Sequence, residues 1–167
     1  ESAAANSTVP NFNFKEHNLA DLAEESILNN APRAKQKSQR INFTIDEAFL
    51  SLVDAFWIKE ALDNLLSNAI KYSSPGKPID ITLYQEDGYN CIKVKDYGPG
   101  LTEDDKSKLF TKFQRLSATP TGGESSTGLG LYIVKDIVEK HGGKIEVESI
   151  FSEGAAFIVM IPAASKN

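Results

Sequence analysis

The feature that most constrains the fold is the segment 56–73, whose apolar residues recur at helical spacing along one wide face. Asp54 lies just before it, in the position where an aspartate caps the N–H groups of a helix start. Ser74, Pro75 and Gly76 follow, and such residues end a helix and turn the chain. We therefore predict a helix over 54–73 that buries one side. Its core-facing residues are Ile58, Ala61, Leu62, Leu65, Leu66, Ala69 and Ile70.

The rest of the chain mixes helical spacing with alternating, strand-like segments. Further helices are predicted over 19–37 and 129–141, with a short helical piece near 104–110. Strands are predicted around Phe12 and Phe14, and over 41–45, 79–85, 90–95, 144–149 and 155–161. Asp87-Gly88 indicates a hairpin turn between two of them. This order predicts a two-layer α/β sandwich, with helices on one face of a mixed sheet.

Size, charge and cysteine content narrow the class of protein. The chain has 167 residues, 41% of them hydrophobic, which suits one domain with a real core. The 18 basic and 23 acidic residues are well mixed, so we do not expect a nucleic-acid surface. No apolar stretch approaches the roughly 20 residues that cross a bilayer, and no leader is recognisable. Cys91 is alone, which excludes an intrachain disulfide or cysteine zinc cluster and is typical of a reducing cytosol.

The ends of the chain are expected to lie outside the folded domain. The first residue is Glu rather than Met, and 1–11 are small, polar and unpatterned. We interpret 1–11 as a linker or tag remnant, 12–162 as one domain, and 163–167 as a tail. The chain is then a piece of a longer protein.

A polar stripe follows one side of the predicted helix 54–73. Glu60, Asn64, Asn68 and Lys71 are spaced by four, four and three residues, so they share a face. Two amide oxygens one turn apart suit Mg²⁺, which takes few protein ligands, and a lysine one turn further meets phosphate charge. The alternative interpretation is an ordinary solvated helix face.

A glycine-punctuated turn, D-Y-G-P-G at 96–100, follows the predicted strand 90–95. A carboxylate at a strand end, here Asp96, accepts a hydrogen bond from an exocyclic amine such as that of adenine. Gly98 and Gly100 allow the backbone to approach a flat ring closely. The alternative is a plain strand-to-turn connection.

A second glycine-rich segment, S-T-G-L-G-L at 126–131, opens the predicted helix 129–141. Helix starts present free N–H groups and partial positive charge, so they bind anions such as phosphate. A flexible helix entry is the alternative. The chain has no G-x-x-x-x-G-K-[S/T] motif and no G-x-G-x-x-G motif, which excludes a Walker-type loop and argues against a dinucleotide fold.

Four motifs in order carry a resemblance to a known family. N-L-L-S-N-A-I-K-Y, D-Y-G-P-G, L-F-T-K-F-Q-R and T-G-L-G-L together resemble the four boxes of the histidine kinase catalytic domain, within the GHKL group of ATP-binding folds. The resemblance covers about 12–162. It implies a mixed, mostly antiparallel sheet of about five strands on three helices (the Bergerat fold), with a lid over about 97–127.

The resemblance also implies a role for each motif residue. Asn64 and Asn68 would hold magnesium, Lys71 and Arg115 would face the phosphates, and these four are the candidate catalytic residues. Tyr72 would lie against the nucleotide and Asp96 would bind the adenine amine. The remaining implied contacts to ATP are Gly98, Gly100, Phe110, Phe113, Thr127, Gly128, Leu129 and Gly130. The chain departs from the family pattern at Ser126 and at Ala155-Ala156, where glycine and Gly-Thr are usual.

Asn64 distinguishes transfer from hydrolysis. The ATPases of the group carry a glutamate base at this position, whereas an amide cannot take a proton from water. Glu60 lies a further turn back, about 6 Å along the axis. The resemblance therefore implies a kinase that passes the γ-phosphate of ATP to a histidine. The alternatives are a nucleotide-binding module without transfer, an anti-sigma-type serine kinase, against which Phe110 and Phe113 argue, and a GHKL ATPase.

Neither histidine of the chain is a good phosphoacceptor candidate. His17 lies at the first predicted strand, and His141 ends a helix, where the dipole favours a cation. The implied partners are a separate histidine-bearing dimerisation domain of a homodimeric parent kinase and, downstream, a response regulator. The expected location is cytoplasmic, with membrane attachment of the parent left open.

The segment 117–126 generates a testable prediction. It is small, polar and rich in glycine and proline, so we expect its amides to exchange rapidly with solvent in the absence of nucleotide. Hydrogen–deuterium exchange measures this, with the amides of 56–73 as the protected reference. Strong protection over 117–126 in the free protein would contradict the prediction.

Overall fold

The computed structural model describes residues 11–45, 47–111, 130–150 and 152–165. Predictions that concern the other residues lie outside this part of the chain. The described helices are α1 (Leu19–Gln36), α2 (Ala55–Tyr72), α3 (Glu103–Ser107) and α4 (Gly130–Lys140). The described strands are β1 (Lys15–Asn18), β2 (Ile41–Phe43), β3 (Leu50–Val53), β4 (Ile79–Glu86), β5 (Tyr89–Lys95), β6 (Lys144–Ile150) and β7 (Gly154–Pro162).

Five strands form the main sheet, in the order β2-β4-β5-β7-β6. Only the β2–β4 pair is parallel among them, and the other three pairs are antiparallel. β1 and β3 form a separate antiparallel pair. The predicted mixed, mostly antiparallel sheet of about five strands is therefore confirmed.

The core lies between one face of this sheet and the three long helices. Alternate residues of β5 separate the two faces, since Ile92 and Val94 join the main core while Cys91 packs with Ile158 and Met160 on the other side. α2 is the central helix and packs against both α1 and α4. The predicted apolar stripe of α2 is buried over its whole length. No helix in the described ranges combines the length and apolar character needed to span a membrane.

Asp54 caps α2, as the sequence predicts. Its Oδ1 accepts from the N–H of Trp57 at 3.3 Å, and its Oδ2 accepts from the N–H of Asn13 at 2.7 Å. One carboxylate therefore both starts the helix and fixes the chain that enters the domain.

The first strand begins later than predicted, because Phe12 and Phe14 serve as packing residues before it. Their rings lie 5.5 Å apart, and each meets the His141 ring edge-on, at 5.1 and 5.2 Å. Aromatic contacts of this kind give an alternating pattern without a strand ladder.

β3 was not predicted, because the polarity of its residues is the reverse of their burial. Leu50 and Leu52 are exposed, whereas Ser51 is buried. The Ser51 hydroxyl donates to the carbonyl of Pro162 at 2.8 Å and accepts from the Asn90 amide at 2.9 Å, which satisfies it in the interior. Polarity alone therefore predicts the wrong side of this strand.

The end of α2 is joined to the chain that follows β5. The Tyr97 N–H donates to the Ser73 hydroxyl at 2.9 Å. Gly98 lies so close to α2 that an added Cβ would stand 2.1 Å from the carbonyl oxygen of Tyr72. Any side chain at Gly98 would therefore push two backbone segments apart.

His141 is buried at the end of α4 with both ring nitrogens engaged. Nδ1 faces the carbonyl of Ile137 at 2.8 Å, and Nε2 accepts from the N–H of Asp54 at 3.1 Å. This pattern requires the neutral tautomer with the proton on Nδ1. Burial lowers the pKa of His141 against the smaller raising effects of the Ile137 carbonyl and Asp54. The dipole-favoured cation suggested by the sequence is thus outweighed by desolvation.

We predict that folding stability falls as the pH drops below the ordinary value of 6.5 for His141. A histidine whose pKa is lowered by folding contributes its full stability above the unfolded pKa and loses it as the pH approaches the folded pKa. Urea unfolding at pH 7.5, 6.5 and 5.5 measures this for the wild type and His141→Gln. Equal pH slopes for the two proteins would contradict the prediction.

Gly98→Ala should destabilise the domain by about 1–3 kcal/mol, because the new methyl group meets rigid backbone. Gly130→Ala is the matched control, since its Cβ would stand 3.4 Å from the Asn64 side chain, an ordinary contact. Urea unfolding of both variants measures the difference, and equal costs would refute the close approach at Gly98.

Candidate functional site

A hollow opens between the C-terminal half of α2 and the chain after β5. Asn68 and Tyr72 line it from α2, and Asp96 lines it from the end of β5. The structure therefore brings one predicted amide, the predicted aromatic and the predicted carboxylate to a single concave site. The remaining residues that line the hollow are Pro99, Gly100, Leu101, Ala155 and Phe157.

Asp96 is the buried polar group of this site. Asp96 is only 5% exposed, and its Oδ1 accepts hydrogen bonds from the N–H groups of Gly98 at 3.0 Å and Ala155 at 3.3 Å. Desolvation raises the pKa of the Asp96 carboxyl, although these two N–H groups and Lys95 act in the opposite direction. Among the described residues both hydrogen bonds end on Oδ1, which leaves Oδ2 for a donor in the hollow.

Gly154 allows the start of β7 to lie against the backbone of Asp96. Its φ is +112°, and an added Cβ would stand 2.3 Å from the Asp96 carbonyl oxygen. The resemblance to the family aligns its usual Gly-Thr with Ala155-Ala156. The structure places the steric requirement for glycine one residue earlier, and Ala155 supplies an N–H to Asp96 instead.

Asn64 has its amide orientation fixed by the helix itself. Its Nδ2 donates to the carbonyl of Glu60 at 2.9 Å, so the side-chain oxygen points the other way. That oxygen lies 3.4 Å from the position of a Cβ on Gly130, the first described residue of α4. Asn64 thus presents an acceptor toward the start of α4, and it lines a polar groove with Arg33 and Ser67 rather than the hollow itself.

The other predicted residues fall into two groups. Lys71 is half-buried in the last turn of α2, and Phe110 is half-buried against the core with its ring centre 5.9 Å from Lys135 Nζ. The predicted site residues outside the described part of the chain are Phe113, Arg115, Thr127, Gly128 and Leu129, and Ser126, the departure from the family pattern, lies there too.

Sequence reasoning missed the apolar wall of the hollow. Leu101, Ala155 and Phe157 supply it, and the last two lie on β7, where the alternation already indicated a strand. A strand pattern shows which residues share a face, but not that the strand passes under a ligand site. Ser73 was also missed, although its hydroxyl joins the two walls.

Comparisons with known proteins agree with this arrangement. A family model described as histidine kinase-, DNA gyrase B-, and HSP90-like ATPase matches residues 53–165. Sensor protein SrrB of Staphylococcus aureus is 38% identical over 103 residues, which are 62% of this chain and 18% of SrrB. The chain thus spans less than a fifth of the length of that curated relative.

Solved structures give the same result over nearly the whole fold. The catalytic domain of histidine kinase ThkA is 33% identical, with a TM-score of 0.78 over 90% of this chain and 96% of that one. ThkA in complex with response regulator protein TrrA is 29% identical, with a TM-score of 0.75 over 90% of this chain and 42% of that one. The resemblance read from the four motifs is confirmed: the chain belongs to the histidine kinase-, DNA gyrase B-, and HSP90-like ATPase family, as a catalytic domain of the histidine kinase type.

Proposed function

We propose that this domain binds ATP with Mg²⁺ in the hollow between α2 and the end of β5, and donates the γ-phosphate to a histidine of a separate domain. One observation carries the proposal: Asn68, Tyr72 and Asp96 come from two different elements and line one hollow. A solvated helix face and a plain strand turn, the alternatives for the separate motifs, would not require that convergence.

The adenine end of the site is built around Asp96. Backbone N–H groups hold Oδ1, and Oδ2 accepts from the exocyclic amine of the base. Leu101 and Phe157 offer an apolar wall for the flat ring, and Tyr72 lies on the side of α2. A buried carboxylate with donors on only one of its oxygens is costly, so the bound amine also compensates the desolvation that raises the pKa of Asp96.

The phosphate end is built from α2 and the start of α4. The amide oxygens of Asn64 and Asn68 are one turn apart and are hard oxygen ligands of the kind Mg²⁺ prefers. Asn64 fits this role because its nitrogen is already committed to the Glu60 carbonyl. When bound, the ion neutralises charge on the phosphate oxygens. Lys71 adds a cation one turn beyond Asn68, and the start of α4 offers N–H groups.

Transfer rather than hydrolysis follows from the chemistry of Asn64. Its amide cannot remove a proton from water, so the domain holds ATP without activating a competing nucleophile. In transfer, an imidazole nitrogen of the incoming histidine bonds to the γ-phosphorus as the bond to the ADP oxygen breaks. The domain's own contribution is positioning and charge stabilisation.

The acceptor must come from another domain. His141 is 8% exposed, and both its nitrogens are engaged within the fold. His17 lies in β1, on the separate two-stranded pair. We infer a histidine-bearing dimerisation domain of a homodimeric, cytoplasmic kinase region as partner, and a response regulator downstream, as the TrrA complex of ThkA suggests by analogy.

Asn68→Ala and Asp96→Asn should each abolish detectable binding of a non-hydrolysable ATP analogue with Mg²⁺, because each removes a contact to one end of the nucleotide. Titration calorimetry measures the binding. Glu24→Gln is the control, since Glu24 is exposed on α1 and lines neither the hollow nor the groove beside Asn64. Normal binding by both site variants would place the nucleotide elsewhere.

Phosphoryl transfer is tested by mixing the domain, ATP and Mg²⁺ with a separate histidine-bearing hairpin domain. Acid-labile, alkali-stable phosphate on the hairpin is the expected product. ATP binding without any transfer across a panel of hairpin domains would instead identify a binding module.

A further inference from the structure

Two side chains in the turn after α1 cap the C-terminal end of α2. Lys37 Nζ donates to the carbonyl oxygens of Ile70 at 2.6 Å and Lys71 at 3.1 Å. Gln39 Nε2 donates to those of Ile70 at 3.1 Å and Ser73 at 3.0 Å. Carbonyls at a helix end lack partners within the helix, so four bonds from one short turn satisfy three of them. The positive charge of Lys37 also suits the negative end of the helix dipole.

The turn that carries these two side chains is itself well anchored. The Gln39 N–H donates back to the carbonyl of Ala34 in α1 at 2.9 Å. The carbonyl of Lys37 accepts from the N–H of Gly76, in the turn before β4, at 2.9 Å. The end of α2 is therefore held by a platform tied to α1 and to the entry of β4.

Gln39 is held in this position at a cost. The residue is 7% exposed, and its Oε1 has no hydrogen-bond partner within the described ranges. Rotating the amide would turn the oxygen toward two carbonyl oxygens, so the observed orientation is the only one that bonds. A buried acceptor without a partner calls for an explanation, which the capping role of the nitrogen supplies.

We propose that Lys37 and Gln39 are positioning residues for the nucleotide, although neither lines the hollow. The last turns of α2 carry Asn68 and Tyr72 into the hollow, and the same helix end abuts the backbone that follows Asp96. Holding the carbonyls of this end fixes the span between the two walls. The inference rests on the proposed function, because it assigns these residues to ATP bound in that hollow.

The test compares Kd values for a non-hydrolysable ATP analogue with Mg²⁺, measured where circular dichroism shows each protein folded. Lys37→Met and Gln39→Leu should each raise Kd by about tenfold, since small displacements of positioned groups are costly. Lys35→Met is the matched control, because Lys35 lies in the last turn of α1, just before that turn, with an exposed side chain, and its Kd should stay within about twofold. Lys37→Arg, which keeps a charged donor, should recover most of the affinity.

A second readout separates positioning from simple stabilisation. The amide resonance of Tyr97, whose N–H donates to Ser73, should shift in Lys37→Met and Gln39→Leu but not in Lys35→Met. Lower thermal stability with unchanged Kd and an unmoved resonance would overturn the inference.

Should Lys37→Met not fold, Lys37→Gln supplies the measurement with one neutral donor retained. Absence of binding by the wild type would defeat the proposed function and this inference with it, whereas equal binding by wild type and variants would defeat this inference alone.

Discussion

The contact between the end of α2 and the chain after β5 is the constraint on which the candidate site depends. The apolar stripe of α2 packs the helix between α1 and α4. The Ser73–Tyr97 hydrogen bond and the close approach of Gly98 to Tyr72 tie the C-terminal end of the helix to the chain after β5. Together they set the distance between the amides of α2 and Asp96, and so the size of the hollow.

Asp96 illustrates how the fold accepts a local cost at such a site. Desolvating a carboxylate is unfavourable, and two backbone N–H groups and a neighbouring lysine offset only part of that cost. Buried groups whose pKa is shifted by desolvation are common at functional sites, because a ligand there provides the missing interaction. The Gln39 oxygen, which has no partner among the described residues, is a second local cost, and the capping bonds of the Gln39 nitrogen rather than a ligand account for it.

The sequence predicted the elements that have a strong period and missed those that owe their form to distant partners. The α2 stripe, the Asp54 cap and the long strands β4 to β7 follow from local spacing and turn chemistry. β3 could not be read this way, because Ser51 is buried only by virtue of Pro162 and Asn90. The same holds for the site. Its motif residues Asn68, Tyr72 and Asp96 could be predicted from the sequence. The wall formed by Leu101 and Phe157 could not, because it depends on the order of the strands in the sheet. Lys37 and Gln39 carried no local signal at all.

The small β1–β3 pair has a consequence for how the chain acquires its structure during synthesis. Ser51 donates to the carbonyl of Pro162, and the N–H of Ala164 donates to the carbonyl of Leu50, so an early strand is completed by nearly the last described residues. The ribosome releases residues in order, and the exit tunnel still encloses Pro162 after β1 to β5 have emerged. Ser51 of the nascent domain therefore lacks its Pro162 acceptor until the end of β7 has emerged, an interval in which this strand pair stays incomplete.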